Sequence, residues 1–250
     1  MIPDHFATSG FAARRSANVK LTRFQVLGER SSGTNFLRRL IGRNTDLVPD
    51  EALGWKHGFP NNDPIPEDLA VICVVRNAGP WALSMFARPW HTTAQMQSLP
   101  FDDFLRAPWD TISDRPRYFQ GLPGIRRGAP LQQDRHPDTG AQFENMFALR
   151  RAKLESLTGY LERDCSCTLI RLEDVQKDPQ AAVTSIAEAL ETRRRTKFRP
   201  VVKRLGTRFK PADGLERPPI PDTLSSGQMN FMRRWLDLKA EARLGYVYTA

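Results

Sequence analysis

The chain is poor in cysteine, in long apolar runs and in acidic residues relative to basic ones, and each shortage closes off a class of protein. Three cysteines stand in 250 residues. Cys165 and Cys167 lie two apart and Cys73 sits inside an apolar run, so the odd set builds neither a disulfide framework nor a paired Cys-x-x-Cys metal site. A reducing compartment fits this usage. The longest apolar run, residues 70–75, is far too short to span a bilayer, and residues 1–15 contain no apolar stretch of signal-peptide length. The expected location is cytoplasmic, with no transmembrane segment. Lys and Arg number 37 against 28 Asp and Glu, a formal charge of +9. Such a surplus concentrates anions at the surface and calls for nucleic acid, a phosphorylated cofactor or an acidic glycan as partner. The basic run Arg193-Arg194-Arg195-Thr196-Lys197 fits such a partner, or equally a solvated helix end.

What is present is enough for one sizeable core, with 40% hydrophobic residues and mixed rather than blocked charge. The expectation is a single domain over 1–250, with residues 1–20 as a flexible arm. Residues 23–28 form a short β-type run, and Phe36, Leu37, Leu40 and Ile41 then recur at helical spacing, giving strand, loop and helix in succession. A second short element is expected around Trp55. The run 70–75 reads as a strand buried on both faces, with helix resuming near Pro80. Residues 88–140 carry Pro at 89, 100, 108, 116, 123, 130 and 137, which predicts a loop-rich insert on the substrate side. Residues 141–161 read as a long helix, 168–172 as a strand, 179–190 as a helix capped by Asp178, and 225–243 as a last helix. The alternation predicts an α/β fold of three layers, with a mostly parallel central sheet flanked by helices.

Chemistry concentrates in Gly28-Glu29-Arg30-Ser31-Ser32-Gly33-Thr34-Asn35. Two glycines separated by four residues, directly after a strand and opening a helix, have the spacing of a P-loop. Small residues let backbone N–H groups converge on an anion, and the helix N-terminus adds partial positive charge. Two further absences set the chemistry. Thr34 replaces the phosphate-reaching Lys of an ATP or GTP loop, Asn35 replaces its Mg²⁺-holding hydroxyl, and the strand 70–75 ends in Arg76 rather than a metal-binding Asp. A sulfuryl group carries less charge than a γ-phosphoryl group, so its transfer needs less cationic support and no divalent ion.

The segment Arg30-Ser31-Ser32-Gly33-Thr34-Asn35 resembles the 5′-phosphosulfate loop of the sulfotransferases that use 3′-phosphoadenosine 5′-phosphosulfate (PAPS), with Ser31 in the place of the family's basic residue and Arg30 one position early. Arg76-Asn77-Ala78-Gly79-Pro80, with Ser84 eight residues after Arg76, resembles the family's 3′-phosphate motif. Arg171-Leu172-Glu173-Asp174-Val175 followed by Asp178-Pro179 resembles a third family segment, whose acids read as structural. The similarity spans residues 24–190. Beyond it the family's Arg-Lys-Gly loop is absent, leaving Lys197, Arg199 and Lys203 as candidates by position alone.

The resemblance implies a P-loop-like nucleotide-transferase fold and transfer of a sulfuryl group from PAPS, as co-substrate without metal, to a hydroxyl or amine. Cofactor contacts would come from Arg30, Ser31, Ser32, Gly33, Thr34, Asn35, Arg76 and Ser84. Trp55-Lys56-His57-Gly58-Phe59-Pro60 resembles the family segment that carries the base, which casts His57 as base and Lys56 as electrostatic stabiliser. In an extended segment these two side chains would face opposite ways. His91 is a second base candidate. Each of these residues has a structural alternative: a tight turn for the loop, a strand-end ion pair for Arg76, a packed ring for His57. The acceptor is expected to be a sugar or glycan, stacked on Trp81, Trp90 or Trp109 if these are not core. A P-loop kinase or other nucleotide phosphotransferase, and a nucleic-acid or polyanion binding module without catalysis, are the competing readings; under the preferred reading no specific nucleic-acid partner is expected. Oligomeric state has no signature in the sequence.

Overall fold

The structure is a computed structural model that describes residues 2–16, 19–60, 64–115, 126–202, 209–212 and 214–249. Residues 116–125 of the expected insert, and Lys203, lie outside the described residues. Five strands, β1 (Phe11–Arg14), β2 (Arg23–Gly28), β3 (Val48–Pro49), β4 (Leu69–Val75) and β5 (Cys167–Arg171), form one sheet in the order β1-β5-β4-β2-β3. The pairs β2–β3, β2–β4 and β4–β5 are parallel, and β1 runs antiparallel to β5. This is an α/β fold with a mixed, mostly parallel sheet flanked by helices. Every residue of β4 is buried, as an unbroken apolar run at the centre of a parallel sheet requires.

Two local expectations need correction. Within the expected arm 1–20, the described residues 2–16 carry structure: α1 (Phe6–Ser9) buries Phe6 completely, and β1 pairs Phe11 with Ile170 and Ala12 with Leu169. An edge strand is held by backbone hydrogen bonds to a distant neighbour, and the four residues Phe-Ala-Ala-Arg carry no local pattern that announces it. Around Trp55 there is no strand but two consecutive turns, closed by Gly54 N–H to Glu51 O (2.9 Å) and Gly58 N–H to Trp55 O (2.8 Å). The short strand forms earlier, at β3.

Helix α2 (Thr34–Asn44) places Leu37, Leu40 and Ile41 on one face, fully buried against Phe24, Val26, Ile72 and Val74 of the sheet. Each such side chain contributes about 1.5–3 kcal/mol relative to exposure. Leu172 and Val175 of α7 (Leu172–Lys177) and Val183 and Ile186 of α8 (Pro179–Ala189) complete this core. Asp178 Oδ1 accepts from the Ala181 N–H at 2.9 Å, the N-cap expected of it.

The chain divides into two compact units. The sheet, the loop 28–33 and α2 belong to the first, which comprises residues 1–76, 154–206 and 239–247. The second comprises 77–153, 207–238 and 248–250. It holds α3 (Ala78–Ala87), α4 (Ala94–Ser98), α5 (Phe101–Arg106), the start of α6 (Met146–Gly159) and α9 (Ser226–Trp235). Its centre is aromatic: Phe86 and Phe104 have ring centroids 5.2 Å apart, Phe104 and Trp109 5.7 Å, Trp81 and Phe147 6.2 Å. Trp81 and Trp109 are therefore core residues. Two helix bounds differ from expectation. The helix expected from 141 begins at Met146, because the Asn145 side chain accepts from Phe147 N (2.9 Å) and Ala148 N (3.0 Å) and caps it there. The last helix is broken at Leu236, whose extended backbone (ψ 148) separates α9 from α10 (Leu238–Arg243) with no Gly or Pro to mark the break.

The basic segment is tied to the far end of α2. Asn44 Nδ2 donates to Leu40 O at 2.7 Å and Arg199 O at 3.1 Å, and Asn44 Oδ1 accepts from Arg199 N at 2.7 Å. Arg43 donates to Pro200 O at 3.1 Å. Cations here complement the negative end of the helix dipole. Replacing Asn44 by Ala strands the Arg199 backbone groups, with an expected loss of about 1–3 kcal/mol; urea denaturation reads this, and limited trypsin digestion should cut faster within residues 193–199.

Candidate functional site at the carboxyl ends of β2 and β4

From β2 the chain passes through α2 to β3 on one side of the sheet, and from β4 it proceeds to β5 on the other. The carboxyl ends of β2 and β4 are thus the topological switch point, where α/β folds form a crevice for ligands. The loop 28–33 leaves one of these strands and Arg76 leaves the other.

The loop is held in a single shape. A Cβ on Gly28 would stand 2.7 Å from the Val74 carbonyl oxygen and 2.6 Å from Ser32 Oγ, so only glycine lets β2 and β4 approach here. Ser31 and Gly33 both have left-handed backbones, φ 62 and 89, and such residues alternate the direction of successive N–H groups around a concavity. The Ser32 hydroxyl donates to Glu29 O at 2.7 Å inside the loop. Gly33 is the N-cap of α2 and offers its first turn no side-chain acceptor. Thr34 opens the helix, buried, and Asn35 follows on its exposed side.

The turn 55–58 adds the titratable groups. Gly28 N–H donates to Lys56 O at 3.0 Å, and the Gly28 carbonyl lies 2.6 Å from His57 Nδ1. A carbonyl only accepts, so Nδ1 carries the proton of the neutral ring and Nε2 is its basic nitrogen. Lys56 Nζ donates to Asn35 Oδ1 at 2.5 Å. The segment is a turn and not extended, so the condition under which Lys56 and His57 would diverge is not met, and both side chains reach the residues 28–35. Trp55 lies edge-on to His57, centroids 5.2 Å apart, and the Arg30 guanidinium sits over the Trp55 ring at 5.7 Å. Arg76 Nη1 donates to Ser31 O at 2.7 Å, joining the two strand ends.

Ser31, Ser32, Gly33, Thr34, Asn35, Lys56, His57, Arg76 and, through Trp55, Arg30 are therefore gathered in the first unit. Ser84 lies half-buried on α3 of the second unit, and its relation to Arg76 rests on sequence spacing alone. His91 is also in the second unit, buried, with a left-handed φ of 66 and Nδ1 at 2.5 Å from Asp114 Oδ1. Trp90 packs under the Arg115 guanidinium at 4.5 Å and beside Phe209 at 5.2 Å. The third family-like segment is structural as expected: Arg171 Nε bonds Asp174 at 2.6 Å and its Nη1 bonds Ala7 O at 3.0 Å, while Glu173 accepts from Tyr246 Oη at 2.9 Å.

Sequence reading passed over Gln25. Its side chain donates to Gly54 O and accepts from Leu53 N, both at 2.8 Å, and so docks the segment that leads into Lys56 and His57. A Gln set among the apolar residues Phe24, Val26 and Leu27 was the available signal. No protein-family model matches the chain, and no curated protein matches it. Among the described residues no helix is long and apolar enough to cross a membrane.

Burial pushes the Asp114 carboxyl up, but the hydrogen bond and charge of His91 and the charge of Arg115 outweigh it and hold the group below its ordinary value. A depressed carboxyl stabilises the fold above its unfolded value and loses that contribution as pH falls through the folded one. Asp114→Asn should accordingly flatten the loss of stability as pH falls below about 4, seen as urea midpoints that vary less with pH than those of the parent.

Proposed function

We propose that the chain is a sulfotransferase that moves the sulfuryl group of PAPS to a hydroxyl or amine of a sugar or glycan. The observation that carries this reading is the pairing of an anion-shaped loop with a histidine whose Nδ1 is pinned to that loop's first carbonyl. The residues fit an anionic co-substrate. The α2 N-terminus and the left-handed residues Ser31 and Gly33 supply backbone N–H groups, and Lys56 and Arg76 supply positive charge within hydrogen-bond reach of Asn35 and Ser31.

In the proposed reaction the acceptor oxygen forms a bond to sulfur as the bond from sulfur to the bridging phosphate oxygen breaks. His57 Nε2 takes the acceptor proton, and adenosine 3′,5′-bisphosphate leaves with the bridging electron pair. Lys56 stabilises charge developing on that leaving group. Arg76 holds the loop through Ser31. The lack of a loop Lys and of a strand-end Asp favours sulfuryl over phosphoryl transfer.

PAPS or adenosine 3′,5′-bisphosphate is expected to raise the melting temperature without Mg²⁺, and Mg²⁺–ATP to leave it unchanged; stabilisation by Mg²⁺–ATP alone would replace the reading by a kinase. Loss of a general base costs about 10²–10⁴ in kcat. His57→Ala should show that loss in a labelled-sulfate transfer assay while the bisphosphate still binds, and full retained turnover rejects His57 as base.

A further inference from the structure

The amino end of β5 carries nucleophiles that the loop site does not use. Cys165 and Cys167 are free, buried thiols of the first unit. Their Sγ atoms converge on one acceptor, the carbonyl of Tyr160, at 3.7 and 3.2 Å. Residues 163–165 form a bend, tightened by Cys165 N–H to Arg163 O at 2.9 Å. A two-residue spacing holds the Cα atoms within about 7 Å, close to the reach of a disulfide.

The two thiols are not equivalent. Cys165 lines a cavity of about 330 Å³ together with Ser16, Pro66, Glu67, Arg163 and Ser166, whereas Cys167 opens β5 with no exposed surface. The Arg163 guanidinium, 5.4 Å from the centre of the Tyr160 ring, shares the cavity wall with the carboxylates of Glu67 and Asp164. The neighbouring Cys167 lowers the Cys165 thiol, burial opposes this, Arg163 and Arg14 lower it further and Asp164 raises it, with a net downward direction. Cys167 is pushed up by the same neighbour and by burial. Cys165 is thus the attacking sulfur and Cys167 the one placed behind it.

We propose that Cys165 and Cys167 are a reversible dithiol–disulfide site oxidised by small hydroperoxides. The Cys165 thiolate attacks the terminal peroxide oxygen, the O–O bond breaks, and the released oxide takes a proton and leaves as water or alcohol. Cys165 becomes a sulfenic acid. The Cys167 sulfur then attacks the Cys165 sulfur, the S–S bond forms, the S–O bond breaks, and hydroxide departs as water with the Cys167 proton. Two electrons pass from the thiol pair to the peroxide, and an added dithiol returns them. Cys73, inside β4 and held protonated by burial, takes no part.

The test uses the full chain, folded, treated with hydrogen peroxide, alkylated and digested with trypsin. Both cysteines fall in the peptide 164–171. That peptide should appear lighter by two hydrogens and without alkyl label, and regain two labels after dithiothreitol. In Cys167→Ser, Cys165 should instead stop at the sulfenic acid and form a dimedone adduct, with Cys73 alkylated throughout. Full alkylation of both thiols after peroxide, absence of the adduct, or oxidation of Cys73 at the same rate each overturns the proposal.

Discussion

Gly28 commits both of its backbone polar groups to the turn that follows β3, its N–H to Lys56 O at 3.0 Å and its carbonyl to His57 Nδ1 at 2.6 Å. It does so at the one point where β2 and β4 approach too closely for a side chain, a Cβ there standing 2.7 Å from Val74 O. The candidate site depends on this junction. It ends β2, starts the anion-shaped loop, selects the histidine tautomer and brings the Lys56 ammonium to Asn35. A larger residue would have to separate the two central strands, and the cost would fall on the sheet as well as on the site.

The surrounding framework keeps that junction rigid. α2 begins directly after Gly33 and buries Leu37, Leu40 and Ile41 on the sheet, so the direction of its N-terminus is set by the core rather than by the loop. At its other end, 11 residues or roughly 16 Å away, Asn44 ties down the basic segment through Arg199. The backbone of Arg199 is therefore fixed at the carboxyl end of α2, remote from the loop. Net charge alone had suggested a role for this segment in binding. Its backbone contacts give it a structural one.

The second unit changes how the tryptophans and His91 are read. Trp81 and Trp109 have almost no exposed surface and pack among Phe86, Phe104 and Phe147, so neither stacks on a sugar. His91 is engaged by Asp114 in a buried pair. Gln25, by contrast, had no chemistry to recommend it in the sequence, and its importance is positional: two hydrogen bonds deliver residues 53–54, and with them the turn of Lys56 and His57.

Strand β2, helix α2 and strand β4 lie close to where periodicity puts them, because burial on one or both faces writes a repeat into every few residues. The glycine spacing of the loop and the Asp178 cap are equally local. The remaining features join segments far apart in the chain: β1 against β5, Arg76 on the Ser31 carbonyl, His57 on Gly28, and two cysteines on Tyr160. Each of these is made with a backbone carbonyl or amide. Every residue carries those groups alike, so composition and spacing leave no trace of which will meet, and only the packing of the sheet and helices decides it.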